Sequence, residues 1–227
     1  MVVLSITADS GALAAWLQAI GSISAVLAAI AISWCQNKAA RAKDDALRKR
    51  RERAAHAVTP LALSELCAWS KSHLQAWLEA ADKLEHRKIE DILKDAADPA
   101  FVEFVSISDD VVRNIKEVIE YSDDISAAPY VALLNRLQVH KTRALGFLAD
   151  VQSSHTVTLP AYCRHQAVEV AELYARATAL FDHARDEASV EASAVNRDQV
   201  TTALHLMGVY RGTRDDITAI VNRRYAE

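Results

Sequence analysis

The residues able to do chemistry are few, and their spacing points mostly to structure. His165 and Glu169 stand one helical turn apart, as do Glu52 and His56, while His183 precedes Asp186 by three positions. Such spacing puts two donors on one helical face, but a single pair of this kind reads as a solvated contact. Glu169 and Glu172 also share a face. A di-metal helical site needs Glu-x-x-His pairs on two helices, and the sequence offers no matching pair for them. Three acidic doublets remain: Asp109-Asp110, Asp123-Asp124 and Asp215-Asp216. Two of these fall in the first turn of an expected helix, where carboxylates suit the positive end of the dipole. His205 and Met207 read as core or near-core residues. Cys35, Cys67 and Cys163 are odd in number and far apart, without zinc or disulfide spacing. With 5 glycines in the chain, no nucleotide-binding glycine loop can be written. Neither His-Glu-x-x-His nor Gly-x-Ser-x-Gly occurs. The sequence thus predicts no catalytic site, no cofactor and no metal centre.

The elements that would carry these side chains are helices. Few glycines and only 4 prolines in 227 residues argue for long helices and short connections, and so for an all-α protein. A composition of 51% hydrophobic and 25% charged residues belongs to a folded chain. Thr59-Pro60 reads as an N-cap followed by proline at the first helical position. The helix it opens carries Leu63, Leu66, Cys67, Leu74, Trp77, Leu78, Ala81 and Leu84 on an apolar stripe and ends between 85 and 94. Asp98-Pro99 repeats the start signal before a short segment over 100–105. Ser108 then caps a helix with Val111, Val112, Ile115, Val118, Ile119 and Tyr121 inward. Pro129 opens the next, along Val131, Leu133, Leu134, Leu137, Ala144, Leu145 and Leu148. Thr158 and Pro160 introduce a long helix from Tyr162 to Phe181. Asn196 with Gln199 resembles a capping box for a last helix or helix pair through Val200, Leu204, Ile217, Ile220 and Val221. Gly208 and Gly212 mark either a close crossing or a break, and only Thr156-Val157-Thr158 looks strand-like. The expectation is an antiparallel cytoplasmic bundle of five or six helices.

The N-terminal part differs in kind. Ser10 to Asn37 carries no formal charge, and its apolar core runs from Ala12 to Trp34. At about 1.5 Å per residue that core is roughly 35 Å long, enough to cross a hydrocarbon layer of ~30 Å. Trp16 and Trp34 lie near its ends, where amphipathic rings favour the headgroup region. No Lys or Arg precedes it. Eight follow at once: Lys38, Arg41, Lys43, Arg48, Lys49, Arg50, Arg51 and Arg53. The segment over 38–53 has a net charge of +5 and the remainder from 54 onward −8, within −4 overall. The positive-inside rule then places the N-terminus outside and the C-terminus in the cytoplasm of the inner membrane. The chain divides into a short extracytoplasmic N-terminus (1–10), a transmembrane helix (11–36), a basic juxtamembrane helical stalk (37–58) and a cytoplasmic helical domain (59–227). The basic run, without interleaved aromatics, suits lipid headgroups better than nucleic acid.

Within the membrane segment, Gly21, Ala25, Ala29 and Ser33 recur every four residues, beside a second stripe of Ala14, Gln18 and Ser22. Small residues let two helices approach closely, and Gln18 can hydrogen-bond across such a contact. The stretch Trp16-Leu17-Gln18-Ala19-Ile20-Gly21-Ser22, followed by an Ala/Ile-rich run and basic residues, resembles the opening of uncharacterised small bacterial single-pass membrane proteins. Some of those resemble phage-defence or mobile-element components. The resemblance covers about 25 of 227 residues and implies a phage-defence setting without assigning any residue a role. Three functional readings follow. The first is a membrane-anchored interaction or sensor protein, working through an unknown cytoplasmic protein partner or as a homo-oligomer. The second is a pore-forming effector with Gln18, Ser22 and Ser33 lining a channel. The third is an enzyme with an unrecognised helical site.

Overall fold

The computed structural model describes residues 10–86, 104–153, 160–185, 195–210, 212 and 214–226. These form six helices: α1 (Ser10–His86), α2 (Asp109–Tyr121), α3 (Asp124–Ser153), α4 (Pro160–Ala184), α5 (Arg197–Leu206) and α6 (Asp215–Arg224). Among the described residues there is no strand. The expected start at Asp98-Pro99, the strand-like Thr156-Val157-Thr158, and Asp186 lie outside the described residues. The chain falls into two units, residues 1–50 and 51–227, and α1 contributes to both.

Local chemistry explains most helix starts. The Ser108 side chain accepts from the Asp110 amide at the head of α2. Asn196 and Gln199 close a full capping box at α5. Pro160 opens α4, where its missing N–H costs nothing. Asp123 caps α3, accepting from the amides of Ile125 (2.9 Å) and Ser126 (3.1 Å). The hydrogen bonds from Ser126 and Ile125 hold the Asp123 carboxyl below the ordinary carboxylate range. Gly208 and Gly212 have φ of 93° and 89°. They therefore mark a break, the turn from α5 to α6, in a backbone region that favours glycine.

Two proline readings are corrected. Thr59-Pro60 does not start a helix, because α1 runs straight through it. Thr59 Oγ1 donates backward to the Ala55 carbonyl at 2.7 Å instead of capping forward. An interior proline costs about 3 kcal/mol; helix-forming neighbours and burial of Ala55, Thr59, Ala62 and Leu63 offset it. Likewise Pro129 lies inside α3, which starts at Asp124.

The second unit has two neighbouring cores. One joins Ala55 to Trp69 of α1 with Val111 and Ile115 of α2, Tyr130 to Leu137 of α3, and Leu173 to Ala184 of α4. The other joins Leu74 to Leu84 of α1 with Ala144 and Phe147 of α3, Cys163 to Ala175 of α4, and the inward faces of α5 and α6. Helix α3 therefore runs in the same direction as this part of α1, and α4 runs opposite to both. The predicted stripe on α1 is inward throughout, with Cys67 half-buried. Four other expectations fail: Val131, Leu145 and Tyr162 are exposed, as is His205. On α3 the buried face follows Tyr130, Leu133, Leu137, Ala144 and Phe147, and Val131 and Leu145 each sit one residue out of that phase.

Candidate functional site

Two places carry features that packing alone does not require. The first is the apolar part of α1. From Ala15 to Trp34 every residue is exposed, including Ile23 and Leu27 at 61% each. The helix holds here an 18-residue window of mean hydropathy 1.9, and it is long and apolar enough to cross a membrane. Gly21, Ala25, Ala29 and Ser33 lie exposed along it, as do Gln18 and Ser22. A methyl group placed on Gly21 would meet no heavy atom within 4 Å. Ser22 Oγ donates to the Gln18 carbonyl at 2.9 Å, which satisfies that hydroxyl within its own helix.

Trp16 and Trp34 flank this stretch, and the Lys38 ammonium stands 5.4 Å from the Trp34 ring. That is cation–π range. Arg41, Lys43, Arg48, Lys49 and Arg50 follow, all exposed. At 3.6 residues per turn, this spacing distributes the cations around the whole circumference of α1. In the second unit, Arg51 lies 5.8 Å from the Tyr121 ring of α2, and Arg53 is exposed.

The second place is a polar cleft between α3 and α4. Arg136, His140 and Arg143 are spaced i, i+4, i+7 on α3, and Glu169, Glu172 and Arg176 are spaced i, i+3, i+7 on α4. Both spacings make one face of a helix. Because the helices run oppositely, Arg143 meets Glu169 and Arg136 approaches Glu172 at 3.9 Å. Arg176 follows on at the Arg136 end. The cleft encloses about 160 Å³ and has Val139 and Leu173 as its apolar walls.

Glu172, although buried, is fully engaged from the far side. Tyr225 donates to its Oε1 at 2.6 Å, and Arg224 reaches both oxygens at 2.8 and 3.1 Å. Burial, then this hydrogen bond to Glu172, raises the Tyr225 pKa well above a free phenol. Glu169 is shared between Arg143 and Arg224. Three guanidinium groups thus line the cleft with two carboxylates, and a fourth, Arg224, holds those carboxylates from behind.

Behind the cleft sits an aromatic–histidine cluster. Trp69 and His73 stack at 4.4 Å, and Phe104 and Phe147 each lie within 5 Å of a neighbouring ring. The Trp77 indole N–H donates to His140 Nε2 at 3.1 Å. A ring whose Nε2 accepts is neutral with its proton on Nδ1. Burial is the main reason that His140 stays neutral, with a pKa lowered to about 4; Glu169 opposes the shift and Arg143 adds to it. His73 is pushed lower, to about 3, by burial and then by His140. Neither ring nitrogen of His73 has a hydrogen-bond partner, nor does His140 Nδ1.

The pairs that stood out by spacing are not the ones brought together. His165 is exposed, whereas Glu169 turns to arginines. His56 Nε2 lies 3.3 Å from Ser122 Oγ, and Glu52 is half-buried near it on α1. Glu169 and Glu172 do have counterparts, namely Arg136 and Arg143, whose seven-residue spacing was the available signal. Among the described residues, no three His, Cys, Asp or Glu side chains converge as metal donors would.

Fold and sites together define an all-helical protein with one N-terminal helix apolar and long enough to span a membrane. Set against family models, curated proteins and solved structures, the chain matches none of them.

Proposed function

We propose that this is a membrane-anchored helical interaction or sensor protein, held by one helix at the inner face of the bacterial cytoplasmic membrane. The observation that carries this reading is the uninterrupted exposure of residues 15–34. An exposed stretch holding an 18-residue window of mean hydropathy 1.9, covered by none of the described residues, requires an apolar environment, which lipid provides. A circumferential basic collar supports crossing over lying flat, since a surface helix would gather its cations on one face. The collar also sets the direction: N-terminus outside, and the acidic helical bundle inside. Confinement to two dimensions raises effective concentration, so weak contacts between copies or with a cytoplasmic protein suffice. A phage-defence role fits the resemblance of the Trp16–Ser22 stretch.

Self-association runs through the open stripe of Gly21, Ala25, Ala29 and Ser33, with Gln18 beside it. Leucine at Gly21 and Ala25 would hold two backbones apart. Crosslinking in intact membranes should give a ladder with the native chain, and G21L/A25L should reduce the dimer band at least about fivefold at equal expression. An unchanged ladder would remove the stripe from the interface. Leakage of a small dye on expression of the native chain, absent with G21L/A25L, would favour the pore instead.

A further inference from the structure

We infer that the cleft between α3 and α4 binds a doubly charged phosphoryl group, carried by a small phosphomonoester or as inorganic phosphate. This site is independent of whether residues 15–34 lie in lipid. Its charge comes first. Arg136, Arg143 and Arg176 line the cleft with Glu169 and Glu172, and Arg224 reaches the same two acids from the far side, so two positive charges are left over locally. Arg224 and Tyr225 occupy both oxygens of Glu172, which leaves Arg136 at 3.9 Å from it. Arg176 Nε is buried and has no hydrogen-bond partner.

Donors come second. His140 is 1% exposed, lines the cleft, and has given its Nε2 to Trp77. Its remaining polar atom is Nδ1, a protonated donor with no partner. Buried donors left unpaired cost about 1–3 kcal/mol each, and an oxyanion seated in the cleft would offset that cost for each donor it reaches. Guanidinium forks match phosphate oxygens bidentately.

Size and charge select the ligand. A cleft of about 160 Å³ is smaller than the roughly 300–1,000 Å³ of drug-sized sites. It suits a single oxyanion group, with the rest of any larger molecule outside. A surplus of two charges favours a phosphomonoester, which carries about −1.5 to −2 at neutral pH, over a carboxylate with one.

The test uses the full chain in a non-ionic detergent at about pH 7.5, where a monoester is mostly dianionic. Inorganic phosphate is titrated calorimetrically to about 20 mM against chloride of matched ionic strength. Acetate and short-chain phosphatidic acid serve as parallel probes. Saturable phosphate binding is expected, at least about tenfold tighter than acetate, with a shift of the His140 imidazole resonances. Arg136→Gln and Arg176→Gln should each weaken it about tenfold or more. Arg136 has its side chain half exposed, so its replacement leaves the fold intact. Tighter binding of phosphatidic acid would identify a lipid headgroup as the source, and tighter binding of inorganic phosphate a soluble one; either upholds the site. No saturable heat, or equal binding by both arginine variants and the native chain, overturns it.

Discussion

Arginine at both Ile23 and Leu27 should move the chain from the membrane pellet to the supernatant. Both side chains project from the middle of the exposed apolar stretch, where a membrane helix would lie deepest. An arginine at the centre of a spanning helix costs about 2.5–3.5 kcal/mol on insertion scales. Two together reverse the partition of a helix that is only moderately apolar, given Gln18, Ser22, Ser24 and Ser33. Membrane fractionation of I23R/L27R beside the native chain measures it. The second unit makes no use of these side chains for its core, so the released protein should keep its helical circular dichroism. A variant that still sedimented like the native chain would show that something other than this stretch holds it.

The second large effect concerns acid. His73 and His140 titrate near 3 and 4 in the folded protein because burial penalises their charged forms, against about 6.5 in an unfolded chain. On acidification the unfolded state therefore binds protons first. The stability these rings contribute is complete above pH about 6.5 and is lost progressively toward their folded values of about 4 and 3. At pH 5 that amounts to roughly 2 kcal/mol for each ring. The groups around them are Trp69, Trp77, Phe104 and His140 for His73, and His73, Trp77, Glu169 and Arg143 for His140. Ordinary carboxylates contribute little between pH 7.5 and 5, since they titrate near about 4. Urea midpoints of the full chain in detergent at these two pH values should fall sharply. His73→Phe preserves the stack on Trp69 and should remove about half of the fall. Equal midpoints at both pH values would mean that these imidazoles are hydrated.

What the sequence disclosed, and what it withheld, follows the range of the forces involved. Capping is local, so Ser108, Pro160 and the Asn196–Gln199 box were legible from neighbouring residues. The uncharged stretch was equally plain, because its composition is read within one segment. Pro60 and Pro129 misled for the opposite reason: whether a proline ends a helix depends on what its flanks bury, and both lie inside helices beside buried residues, Thr59 and Ala62 for one, Ala127 and Tyr130 for the other. The cleft depends on register between helices. Arg143 and Glu169 are 26 positions apart, Trp77 and His140 63, and Glu172 and Tyr225 53. No spacing rule within one helix links them. The pair Arg136 and Arg143 was visible as a seven-residue spacing on one face, but nothing in it indicated which acids lay opposite.

Fractionation of the native chain, expressed in bacteria and spun at high speed without detergent, bears most directly on the central proposal that residues 15–34 lie in lipid. The expected result is a chain confined to the pellet, retained there through an alkaline carbonate wash, and released only by detergent. A native chain found folded in the supernatant would contradict it, for then some protein surface, and not a bilayer, must cover Trp16 to Trp34.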